Sequence, residues 1–89
     1  MKNQEGIVRR QIGERIHQRR RELGLSAEAL AKRLGVSKST VGRYEQKGVS
    51  PERTGVLISL SEVLDTSFDW LVGGGPAEAG KSVTAYARE

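Results

Sequence analysis

The stretch LAKRLGVSKSTVGRYEQ, residues 30–46, decides how this chain is read. A lone glycine, Gly35, stands between two segments with helical spacing. On its N-terminal side Ala27, Leu30, Ala31 and Leu34 recur at intervals of three and four, which lines them along one face of a short helix. Ser26 is placed to cap that helix, and Glu28 puts an acid in its first turn. On the other side Ser37 can cap a further helix running to about Gln46, with Val41, Tyr44 and Glu45 turned inward. Gly35 can take the positive φ that stops the first helix, so that only a tight turn separates the two.

Working outward, Ile7, Val8, Ile12, Ile16, Arg20 and Leu23 form a stripe on a long first helix that Gly24 ends. Arg20 interrupts the stripe and requires an explanation. Arg9, Arg10, Arg15, Arg19 and Arg21 fall mostly off it, as either a solvated face or a phosphate-contacting one. Downstream, residues 47–51 form a turn, and Pro51 suits the first turn of a fourth helix carrying Val56, Leu57, Leu60, Val63 and Leu64. Thr66 or Ser67 can cap a brief fifth helix, Phe68 to Val72, whose Phe68, Trp70 and Leu71 would close the core. The expected organisation is a flexible N-terminus over 1–5, one domain over 6–73 and a flexible tail over 74–89, rich in glycine and alanine. KSVTAYA within the tail alternates weakly, as a strand that orders against a partner would.

Composition agrees with an all-α reading. The 89 residues are 36% hydrophobic with four aromatics, so the core must come from Leu, Ile, Val and Ala, which suits short packed helices. The absence of cysteine excludes disulfides and thiolate chemistry and fits a reducing compartment, so the cytoplasm is expected. No apolar run approaches the roughly 20 residues a bilayer requires, and MKNQEGIVRR does not read as a signal peptide. Neither secretion nor a membrane is expected. The formal net charge is +4 and the isoelectric point about 9.9, which suggests a polyanionic partner. Residues 1–26 carry seven Lys or Arg against three Glu, whereas residues 27–89 balance eight against eight.

Two short helices joined by three residues, with Ala31 permitting close approach and Val41 packing the second onto the first, satisfy the requirements of a helix-turn-helix made by helices 2 and 3. A plain helical hairpin is the alternative. With IGERIHQRRRELGLS before the motif and SFDWLVGG after it, residues 12–73 resemble the Cro and phage-repressor type of helix-turn-helix domain, the XRE family. That resemblance implies a five-helix phage-repressor-like fold, double-stranded DNA as partner, and the third helix in the major groove. It also implies that Arg20 and Glu45 form a structural ion pair. The sequence departs from the family at Ala27, where members often place a glutamine whose amide grips the DNA backbone.

A groove-docked helix presents to base edges the side chains near its start and one turn later, here Lys38, Ser39 and Arg43. Arg43 can be bidentate to guanine, and Gly42 on the same side offers nothing. Thr40 can contact a thymine methyl or a phosphate, or pack at the turn. Phosphate contacts are expected from Ser26 and Ala27 at the start of the second helix, and from Ser37 and Lys47. One recognition helix reads few base pairs, so a homodimer on two half-sites is expected. The competing reading is a protein-interaction or antitoxin-like module that binds DNA only with a partner, which its C-terminal tail could hold. His17 has no second ligand nearby in sequence and reads as an exposed helix residue, and Tyr44 and Trp70 read as core. No metal, cofactor or enzymatic activity is expected, since no catalytic pair is visible.

Overall fold

The computed structural model describes residues 2–74. They form α1 (Lys2–Glu22), α2 (Ala27–Leu34), α3 (Lys38–Lys47), α4 (Thr54–Val63) and α5 (Phe68–Gly73), with no strand among the described residues. Met1 and the tail beyond Gly74 lie outside them, and with them the expectation for KSVTAYA.

Caps set the helix starts. The Ser26, Ser37 and Ser67 hydroxyls accept from the backbone N–H of Ala29, Thr40 and Trp70 at 3.0, 3.1 and 2.9 Å, each satisfying one donor that a helix start leaves free. Gly35, at φ +74°, ends α2, and the N–H of Val36 returns to the Ala31 carbonyl at 3.0 Å. That closure holds the α2–α3 turn in one geometry.

α1 packs on α3 and α5, α2 on α3 and α4, and α4 on α5. The shared core is Ile12, Ile16, Leu30, Ala31, Val41, Val49, Leu57, Leu60, Leu64 and Leu71, every one of them buried. A fully buried Leu or Ile is worth about 1.5–3 kcal/mol, so this single cluster supplies the main driving force. No helix among the described residues is long and apolar enough to cross a membrane.

Several elements differ from the sequence expectation. α1 begins at Lys2 rather than near Ile7, and the stripe is covered only in its middle, since Ile7 and Leu23 remain exposed. Pro51 does not open α4. It occupies the second position of the turn Ser50–Pro51–Glu52–Arg53, in which the Arg53 N–H donates to the Ser50 carbonyl at 3.0 Å, and α4 starts at Thr54. A proline φ serves either position equally well. Val49, read as part of a turn, is buried in the core, whereas Phe68 sits at the surface and leaves Leu71, with the half-buried Trp70 packed against the cluster, to close it.

Candidate nucleic-acid interface

The angular order of side chains around α3 separates an inner arc from an outer one. At 3.6 residues per turn, Tyr44, Gly48, Val41 and Glu45 follow one another on the inner side. Val41 is fully buried, and Tyr44 packs against the core. The outer arc runs Lys38, Gly42, Gln46, Ser39, Arg43, Lys47, Thr40. Of these, Lys38, Ser39, Arg43, Gln46 and Lys47 are exposed, and none of their side chains makes a hydrogen bond or ion pair among the described residues. Gln46 was not singled out from the sequence, although its spacing of three, four and seven from Arg43, Gly42 and Ser39 places it in the same row.

Polar contacts fix how α3 stands. Arg20 Nε donates to Glu45 Oε2 at 2.6 Å and its Nη2 to Glu45 Oε1 at 3.1 Å, while Nη1 donates to the Leu25 carbonyl at 2.9 Å. One guanidinium thus joins α1, the α1–α2 turn and the inner face of α3. The two side chains are 15% and 11% exposed. Burial pushes the Glu45 carboxyl up, but the hydrogen bonds from Arg20 and His17, with the Arg20 charge, hold it below the usual carboxylate range. His17 is not a solitary surface residue: its Nδ1 lies 2.9 Å from Glu45 Oε1.

α1 and α3 also approach backbone to backbone. A Cβ at Gly13 would stand 2.7 Å from the Glu45 carbonyl, and one at Gly48 would overlap the Arg9 carbonyl. Two arginines of α1 are also structural. Arg19 donates to the Leu64 and Asp65 carbonyls at 2.8 and 2.9 Å, where α4 ends. Arg15 reaches the Leu71 and Val72 carbonyls of α5 at 3.3 and 3.4 Å. Neither role has a local sequence signature, because the acceptors lie more than forty residues away.

The other candidate residues divide by what already engages them. Ser26 and Ser37 give their hydroxyl lone pairs to the α2 and α3 caps. The Thr40 hydroxyl lies 3.0 Å from that of Ser37, so it belongs at least partly to the turn. Ala27 is packed against the core and offers only its backbone N–H outward. Lys47 and Arg43 line a recess of about 290 Å³ whose other walls are Arg9, Thr40, Tyr44, Gly48 and Arg53. None of the lining residues is acidic. No cluster able to hold a metal ion is present among the described residues.

The helix-turn-helix family model matches residues 16–71. The P22 c2 repressor in complex with the synthetic operator 9T in the presence of Tl+ is similar over 71% of this chain and 94% of its own, at 36% identity and a TM-score of 0.63. SinR, described as the master regulator for biofilm formation and solved in complex with DNA, is 40% identical over 67% of this chain and 95% of its own, with a TM-score of 0.56. The SinR–SinI complex gives 34% identity and a TM-score of 0.61 over 85% of this chain and 78% of that one. No curated protein matches. With the matched stretch spanning more than half of the chain and two of these likenesses at 36% and 40% identity over at least two thirds of it, the chain belongs to the Cro/C1-type helix-turn-helix family.

Proposed function

We infer that this protein is a sequence-specific, double-stranded DNA-binding transcriptional regulator of the cytoplasm, a repressor of a phage-like or mobile element or of its own operon. The observation that carries the reading is the outer arc of α3: free polar and basic side chains on a short helix whose inner arc is clamped by Arg20, Val41 and the Gly13–Gly48 contact. A helix so presented enters a major groove with its register fixed. Lys38, Ser39 and Arg43 read bases, with Arg43 bidentate to a guanine, and Gln46 adds a donor and acceptor suited to adenine. Thr40 contacts the edge of the groove. The N–H groups at Ser26 and Ala27, the Ser37 turn and Lys47 meet phosphates. The neighbours whose structures hold DNA support the same reading. A homodimer on an inverted repeat supplies the specificity that one helix lacks.

The test is selection of bound duplexes from a random pool at about 150 mM salt, where non-specific phosphate binding is weak. Enrichment of an inverted repeat is expected. A single half-site bound by monomer would remove the dimer from the proposal, and no enrichment would remove sequence reading. A second reading, DNA binding only with a protein partner, is favoured by Ala27 and Gly42, which take side chains away from the interface, and by the protein partner in the SinR–SinI structure. It predicts weak binding alone and recovery when the partner is added.

A further inference from the structure

We propose that the recess between α1, the outer edge of α3 and the turn into α4 is a phosphodiester site, where Arg9 and Arg53 grip the backbone of the DNA whose bases α3 reads. The proposal rests on the DNA-binding reading and adds to it two residues and a place. Thr40, Arg43, Tyr44 and Lys47 are spaced by three and four, so they form one row along α3, the row beside Ser39, Gly42, Arg43 and Gln46. Arg43 belongs to both. The first row faces the recess, and Arg9 from α1 and Arg53 from the α3–α4 turn complete its walls.

Four cations from three separate elements therefore converge on one cavity that no carboxylate lines. None of the four has an ion-pair partner among the described residues, although Arg20 and Arg19 elsewhere on α1 do. Such an arrangement is self-repelling until an anion enters. Three of the four are arginines, whose planar forks match the paired oxygens of a phosphate. The cavity, about 290 Å³, holds roughly ten waters' share of liquid volume, enough for a phosphate group that keeps part of its hydration.

Arg9 is placed by Gly48. The α3 terminus packs its glycine directly on the Arg9 carbonyl, which sets where Arg9 leaves α1 relative to α3. Arg9 also lies before the stretch, residues 16–71, that the family model matches. The grip is thus made in part by the early turns of α1, beside the C-terminal end of α3. It offsets the amide missing at Ala27 with backbone contacts made by other residues.

The experiment is duplex binding by the full chain between about 50 and 300 mM salt, on the selected operator and on a scrambled duplex. Removing one phosphate contact lowers the slope of log K against log salt by about 0.9, which corresponds to roughly fivefold weaker binding at 150 mM. Arg9→Gln and Arg53→Gln are each expected to show that change on both duplexes, with the base preference of the operator and the melting temperature unaltered. Arg9→Lys, which keeps the charge, should retain the parent slope. Arg21→Gln, an equal charge loss on α1 outside the recess, should leave both quantities as in the parent. A parent-like slope in Arg9→Gln, or an equal loss in Arg21→Gln, would overturn the site while leaving the DNA reading intact. A parent that binds no duplex would overturn both.

Discussion

Replacing Arg20 with alanine probes the clamp that orients α3. The substitution removes three charge-assisted hydrogen bonds, two to Glu45 and one to the Leu25 carbonyl. With side chains 15% and 11% exposed, the pair lies far from the surface limit, where an ion pair contributes about 0–1 kcal/mol. It lies closer to the buried limit, where removing one partner costs about 3–5 kcal/mol because the other charge is stranded. His17 remains 2.9 Å from Glu45 Oε1 and gives the stranded carboxylate one neighbour, which places the expected loss near the bottom of that range, at about 3 kcal/mol. A chain of 89 residues holds only about 4–13 kcal/mol in total. The loss should therefore lower Tm by about 12–24 °C. Urea and thermal unfolding of Arg20→Ala, Glu45→Ala and the double variant measure it. The double variant should be about as stable as either single one, since it strands no charge, giving a coupling of at least about 1.5 kcal/mol. Additive losses, or a cost under about 1 kcal/mol for Arg20→Ala, would refute the reasoning.

Gly48→Ala should cost about 3 kcal/mol or more, because its φ of +83° disfavours a side chain and the new methyl would overlap the Arg9 carbonyl; the urea midpoint reads it. Arg43→Ala should relax one base position in each half-site, at about 1–3 kcal/mol of discrimination, without lowering Tm. Acid should weaken the fold through Glu45. Its folded pKa is held below the usual 4.5, so its contribution is complete above that value and is lost as pH falls through the lower folded value. Tm measured from about pH 6 down to pH 2.5 should fall less steeply for Glu45→Gln than for the parent over that window.

Local signals made the helices legible. Ser26, Ser37 and Ser67 each stand before a segment of helical spacing, and in each case the structure shows the hydroxyl in the cap. The periodicity of Leu30, Ala31 and Leu34, or of Leu57, Leu60 and Leu64, depends only on neighbouring residues, and so does the Gly35 turn. What stayed hidden depends on distant ones. Pro51 fits a helix start or a turn with the same φ, and only the Ser50–Arg53 hydrogen bond decides between them. Val49 looks like a loop residue until the fold buries it in the core cluster. His17 acquires Glu45, 28 positions away. For the interface, spacing alone places Lys38, Ser39 and Arg43 on one arc of α3, whereas Arg9 and Arg53 join that arc only through the tertiary fold.

The arginines of α1 show why net charge by itself misjudges the interface. Six arginines lie on this helix, and chemistry does not distinguish them; their height along the axis, together with their angle around it, does. Arg15, Arg19 and Arg20 point toward α5, the end of α4 and α3, where their N–H groups satisfy carbonyls and a carboxylate. A donor engaged in that way is held at a fixed site within the protein and is not free to follow a phosphate. Arg9 stands where the backbone of α1 touches Gly48, at the rim of an unpaired cationic recess. Equal charge losses should therefore divide cleanly. Neutralising Arg19 removes hydrogen bonds that close α4 and lowers stability, whereas neutralising Arg9 leaves the fold alone and lowers affinity. The excess positive charge of the first 26 residues is then two functions superimposed, one holding the helices that carry α3 and the other meeting what α3 is presented to.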